Sequence, residues 1–180
     1  TINLVRQPSS KRFTRGFLIV APGLTIKDRL RVLQPNDPDS YYKNREIVPN
    51  DMLVDLERAK IVITNYHAFK LRERVEISAG GRALLKGKRG EDLNTLETEG
   101  QMLQRVMPEL MGMKNIMVLN DEAHHCYREK PGNDEEGDLT SDEKKEAESN
   151  LEAARLWING LETATRKLGI NRVIDLSATP

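Results

Sequence analysis

Val118-Leu-Asn-Asp-Glu-Ala-His-His125 runs from aliphatic residues straight into two adjacent carboxylates, with two imidazoles close behind. A short apolar run of this kind reads as a strand, so Asp121 and Glu122 fall where the strand ends. Three further runs, 17–21, 60–64 and 172–177, share the β-branched or aliphatic character of 116–120. None shows clean polar alternation, so each reads as a strand buried on both faces. They begin roughly 40–60 residues apart with helical patterns between them, so the connections are crossovers rather than hairpins. The expectation is an α/β fold: a parallel sheet with helices on both faces. Ligands bind such sheets at the carboxyl edge, which is where Asp121 and Glu122 would stand. Adjacent acids can divide labour there, one holding a hydrated Mg²⁺ and the other orienting a water towards a phosphoryl group.

Between the strands, the longest helix is expected over Ser141–Leu168. Thr140 with Glu143 offers a capping box. Ala147, Leu151, Ala154, Ile158 and Leu161 repeat on one face, and Gly169 follows as a stop. A second helix is expected over 96–107, ahead of Pro108. Residues 78–94 carry four glycines and read as a flexible stretch within a larger insertion, 71–115, and 131–137 reads as an acidic exposed loop. Met102, Met107, Met111 and Met113 read as core filler.

Composition narrows the class. The chain has 180 residues, with 28 Lys and Arg against 28 Asp and Glu, so net charge makes no case for a generic polyanion binder. No apolar run approaches the ~20 residues of a membrane span, and no signal peptide is expected at Thr1. The single cysteine, Cys126, excludes an internal disulfide framework and fits a reducing compartment. A cytoplasmic protein is the expectation. The neutrality hides an asymmetry: residues 1–34 hold seven cations against Asp28 alone, and 134–152 hold nine carboxylates against Lys144 and Lys145. Such segregation allows either a local phosphate-binding face or solvated faces that meet nothing.

Individual residues carry paired readings. Thr64 and Asn65, short polar residues at a strand end, suit phosphate oxygens or a turn and its cap. Lys27, Arg29 and Arg31 suit a nucleic-acid track or an exposed helix face. Tyr66 and Tyr127 suit base stacking or packing. His125 and Cys126 beside the carboxylates suggest zinc, but its ligands must converge in space, and consecutive residues on an emerging strand end diverge. Cys126 therefore reads as a packed thiol.

Asp121-Glu122-Ala123-His124 resembles motif II of the superfamily-two helicases and translocases. Three other segments match that family in order. Phe17-Leu-Ile-Val-Ala-Pro-Gly23 resembles motif Ia, Ile61-Val-Ile-Thr-Asn-Tyr-His67 resembles the next nucleic-acid-contacting strand, and Ser177-Ala178-Thr179 resembles motif III. More narrowly, Pro22-Gly-Leu-Thr-Ile-Lys-Asp-Arg-Leu-Arg-Val-Leu33 and Leu119-Asn-Asp-Glu-Ala-His-His-Cys-Tyr127 are similar to the restriction subunit of type III restriction–modification enzymes, over nearly the whole chain.

That resemblance implies a partial first RecA-like motor domain over 1–180, in an ATP-driven DNA translocase whose parent also carries a nuclease and meets a modification (methyltransferase) subunit. It implies ATP and Mg²⁺ as cofactors, with Asp121 holding Mg²⁺ through water and Glu122 positioning the attacking water. His124 would couple the acid site to motif III, and Ser177 and Thr179 would relay nucleotide state. Pro22, Gly23, Thr64 and Asn65 would touch the DNA backbone. The family's Gly-x-x-x-x-Gly-Lys-Ser/Thr loop is expected upstream of Thr1 and a second motor domain beyond Pro180. Gly87-Lys88-Arg89 does not supply the loop, because position 82 is Arg and position 89 is neither Ser nor Thr. The isolated chain is accordingly expected to be inactive. Two alternatives are a catalytically silent, helicase-derived nucleic-acid-binding module and a metal hydrolase built on Asp121, Glu122, His124 and His125.

Overall fold

The computed structural model describes residues 1–73, 96–123 and 141–177. Its strands are β1 (Gly16–Ala21), β2 (Lys60–Asn65), β3 (Ile116–Asn120) and β4 (Ile170–Asp175). They form one sheet in the order β2-β1-β3-β4 with every neighbouring pair parallel. The described helices are α1 (Ile2–Arg6), α2 (Leu24–Leu30), α3 (Tyr41–Asn44), α4 (Asn50–Leu56), α5 (Glu99–Val106) and α6 (Ser141–Leu168). Among these residues no helix is long and apolar enough to cross a membrane.

The expected α/β architecture is present, and the helices lie on both faces. On one face Leu18, Val20, Ile116 and Val118 pack with Met102, Leu103, Met107, Leu110, Trp157, Ala164 and Leu168. The other face is thinner: Ile19, Ala59 and Ile61 pack with Leu30 and Leu33, at the end of α2 and in the turn behind it. The expectation that every strand is buried on both faces holds for β1 alone. β3 alternates, and β4 is exposed, with Val173 at 40% and Ile174 at 39%. The strand order explains this, since β4 lies at an edge and the thin layer covers the β1–β2 side.

Local chemistry sets the element ends. Thr98 and Gln101 form a reciprocal capping box at the start of α5, so that helix begins three residues later than expected. Gly169 has φ +72° and closes α6, a left-handed conformation that a side chain would oppose. Thr140 lies outside the described residues. The apolar stripe of α6 differs from expectation: Ala154, Trp157, Ala164 and Leu168 are buried while Ile158 is 39% exposed. Trp157 shifts the stripe because its ring is the larger apolar surface, tilted against Tyr66 and Phe69 at centroid distances of 6.2 and 5.5 Å. The expected insertion 71–115 divides. Residues 74–95 lie outside the described residues, whereas 96–115 supply Met102, Leu103, Met107 and Leu110 to the main core, with Met111 and Met113 packed against it.

One polar clamp joins this second segment to the chain behind β2. Arg105 donates from Nε and Nη2 to the two carboxylate oxygens of Glu97, both at 2.8 Å, and also to the carbonyls of Ala68 and Lys70 at 3.0 Å. Bidentate pairs of this kind are strong. The Arg105 hydrogen bonds outweigh the opposing effect of burial and, helped by the Arg72 N–H, pull the Glu97 carboxyl down from 4.5 to about 2.

A depressed carboxyl pKa contributes stability above its unfolded value and loses it as pH falls towards the folded one. Glu97→Gln should therefore flatten the acid side of the stability profile between pH 4.5 and 2 relative to wild type, as read by urea midpoints. An unchanged profile would show that the clamp does not stabilise the fold. Gly160→Ala would place a Cβ 2.6 Å from Phe69 Cγ and 3.0 Å from its Cβ. Overpacking costs about 1–3 kcal/mol, against about 1 kcal/mol gained in helix propensity. A net loss of up to roughly 2 kcal/mol is expected, and a raised midpoint would show that Phe69 yields.

Candidate functional site at the carboxyl edge of the sheet

The register aligns the strand exits. Ala21 pairs with Asn65, Val20 with Thr64 and Asn120, and Asn120 with Asp175, at about 4.8 Å per strand. The segments singled out on sequence thus leave the sheet side by side. Past Asn120 the chain turns tightly. The Asp121 N–H donates to the Val20 carbonyl at 2.8 Å and the Ala123 N–H to the Leu176 carbonyl at 2.9 Å, while the Leu176 N–H donates to the Asn120 carbonyl at 2.9 Å. The acid pair is therefore held on one side by β1 and on the other by the exit of β4.

Within this turn Glu122 has φ +53°. A non-glycine residue in the left-handed region costs on the order of 1–3 kcal/mol and persists where its surroundings over-determine it. Here they do, through the flanking hydrogen bonds of Asp121 and Ala123. Both acids are half-buried.

Beneath the turn lies a polar group that sequence reasoning missed. Asn120 is fully buried. Its Oδ1 lies 3.0 Å from the Tyr66 hydroxyl, its Nδ2 donates to Asp175 Oδ1 at 3.2 Å, and the same hydroxyl lies 2.8 Å from the Asp121 carbonyl. Tyr66, Asn120 and Asp175 thereby tie the exits of β2, β3 and β4 to the backbone of the acid pair. A polar residue closing an apolar strand was the available signal, in Asn120 and again in Asp175. Tyr66 is 1% exposed, so it packs and is closed to base stacking.

Around this centre, Asn65 Oδ1 accepts from the Ala68 N–H at 3.0 Å and caps the Tyr66–Phe69 turn, and Thr64 is buried. The cap reading is thus realised for Asn65, and burial closes Thr64 to an external phosphate in this conformation. Pro22 and Gly23 are half-buried at the exit of β1. Gly23 has φ −131° and a Cβ there would meet nothing within 4 Å, so neither backbone nor packing requires glycine. Lys27 and Arg29 are exposed, whereas Arg31 is paired with Asp37 at 2.9 Å and Asp39 at 3.3 Å. Ser177 is exposed beside Leu176. His124, His125, Cys126, Tyr127, Ala178 and Thr179 lie outside the described residues.

Among the described residues no three His, Cys, Asp or Glu side chains gather as a protein-held metal requires. Mg²⁺ asks for less: it keeps several waters and takes one or two carboxylates, with substrate phosphates completing the shell. Asp121 at the carboxyl edge fits that donor set, with Glu122 next to it. No family model matches this chain, and no curated protein or solved structure is significantly similar to it.

Proposed function

We propose that this chain is a motor segment of an ATP-dependent DNA translocase, of the kind found in the restriction subunit of type III restriction–modification enzymes. The observation that carries the reading is that the four strands preceding or carrying these sequence motifs end at one edge of a parallel sheet, with the acid pair bonded through backbone to the exits of β1 and β4. Asp121 would hold Mg²⁺ through water, and Glu122 would orient a water for attack on the terminal phosphorus. Bound ATP·Mg²⁺ would supply the phosphoryl group and the divalent charge. These 180 residues contain no Gly-x-x-x-x-Gly-Lys-Ser/Thr loop, so on this reading they would not hold the phosphates by themselves. The same reading carries a cytoplasmic location and a modification subunit as partner.

DNA would be tracked through its backbone along the β1 and β2 exits. Gly23, glycine without a structural need for it, leaves bare main chain there, beside Pro22 and Asn65. Tyr66 would act as a positioning residue, since one hydroxyl links the β2 exit to both Asn120 and the Asp121 carbonyl.

In the full-length protein, Glu122→Gln should retain ATP binding and lower turnover by about 10²–10⁴-fold, the range for a lost general base. Asp121→Asn should weaken Mg²⁺-dependent nucleotide binding instead. Steady-state ATPase assays with a binding isotherm decide. Near-normal turnover in Glu122→Gln would remove the water-positioning role, whereas absence of turnover in the unsubstituted protein would leave a silent binding module. A separate expectation concerns coupling. Tyr66→Phe keeps the ring against Trp157 but removes the hydroxyl, so basal ATP hydrolysis should persist while its stimulation by DNA falls several-fold. Equal stimulation in both proteins would reduce Tyr66 to packing.

A further inference from the structure

The cations concentrated in residues 1–34 do not share one face. Lys27 and Arg29 follow the carboxyl end of β1, while Lys11, Arg12 and Arg15 precede its amino end. At that amino end they meet cations from the other strands. Lys60 opens β2, registers with Gly16 and donates its backbone N–H to the Arg15 carbonyl at 2.7 Å. Arg58 stands two residues before it, and Lys114 two residues before β3. Three neighbouring parallel strands therefore begin beside exposed positive charge, at the edge opposite Asp121 and Glu122.

The surface here is concave. A hollow of about 290 Å³ is lined by Ser9, Ser10, Lys11, Arg15 and Lys114 among others. A second hollow, of about 360 Å³, shares Arg15 and adds Arg58. No carboxylate lines either one, and Glu57, next to Arg58 in sequence, lines neither. Arg31, Lys70, Arg105 and Arg166 all have carboxylate partners within 3.3 Å. Among the described residues Lys11, Arg15, Arg58 and Lys114 have none. Like charges gathered without counter-charge focus a positive potential over a concave surface.

From this juxtaposition we propose that the amino edge of the sheet is a second nucleic-acid contact, taking backbone phosphates on Lys11, Arg15, Arg58 and Lys114. It goes beyond the ATP-dependent reading and does not rest on it. The hollows are open and their cations exposed. Small-molecule sites enclose most of their ligand and are predominantly apolar, whereas a phosphate backbone needs only cations spaced along a face. The Ser9 and Ser10 hydroxyls add neutral donors. Thr14 is buried, its hydroxyl accepting from the Gly16 N–H at 3.0 Å, and it shapes the loop instead.

The test is fluorescence anisotropy of a labelled single-stranded oligonucleotide with this 180-residue chain, without nucleotide, across a salt series. Lys11→Ala/Arg15→Ala/Lys114→Ala should weaken binding at least ~10-fold at low salt. It should also reduce the slope of log affinity against log salt by about 2, at roughly 0.7 for each phosphate no longer neutralised. All three side chains are exposed, and circular dichroism checks that the fold is kept. Lys11→Arg/Lys114→Arg should bind as wild type does. Unchanged affinity and slope in the triple-alanine variant would overturn the proposal, as would weakening confined to Lys27→Ala/Arg29→Ala at the opposite edge. Displacement of the oligonucleotide by micromolar pyrophosphate would overturn it too, in favour of a small phosphorylated ligand. Because no ATP is present, the result is separate from the fate of the Glu122 experiment.

Discussion

Asn120 brings a primary amide to a position with no solvent exposure, where unsatisfied donors and acceptors cost about 1–3 kcal/mol each. Satisfying it recruits Tyr66 from behind β2 and Asp175 from the end of β4. Those partners are useful only if the three strands end level with one another, and parallel pairing with Asn120 opposite Asp175 achieves that. The turn carrying Asp121 and Glu122 is then built on a fixed floor. Its left-handed glutamate is held by main-chain bonds to Val20 and Leu176 on either side. Strain at one residue is sustained by order in its neighbours.

The Tyr66–Phe69 turn behind β2 shapes the core as well. Tyr66 and Phe69 both pack on Trp157, so the segment that completes the polar floor also anchors α6. Gly160 leaves the space that Phe69 fills. The packing is lopsided, heavy on the α5–α6 side and thin beneath α2, and it reaches β4 only at Ile170, leaving Val173 and Ile174 exposed. Charge is distributed by the same topology. In a parallel sheet every strand begins at one edge and ends at the other, so cations that precede strands gather apart from acids that follow one.

The four strands, the crossover topology and the long helix ending at Gly169 were legible in the residues, because aliphatic runs and a left-handed glycine are local signals. The position of the acid pair at a strand exit was legible for the same reason. The burial of Tyr66 and Thr64, the exposure of Ile158 and the role of Trp157 were not. Each depends on which neighbour lies opposite, and the period of a helix leaves the width and rotation of its buried stripe open by a residue. Arg31 shows the difference clearly: its sequence neighbours suggest a basic face, while Asp37 and Asp39 return through space to pair with it.

What the sequence alone determined is the class of fold and the order in which polar residues leave its strands, since hydrophobic runs and their spacing are properties of the chain itself. Tertiary structure decided the strand order, the Tyr66–Asn120–Asp175 floor and the separation of the basic residues to opposite edges. Those depend on contacts between residues some 50 positions apart in sequence, where pairing is settled by burial and hydrogen-bond satisfaction in three dimensions rather than by any local pattern.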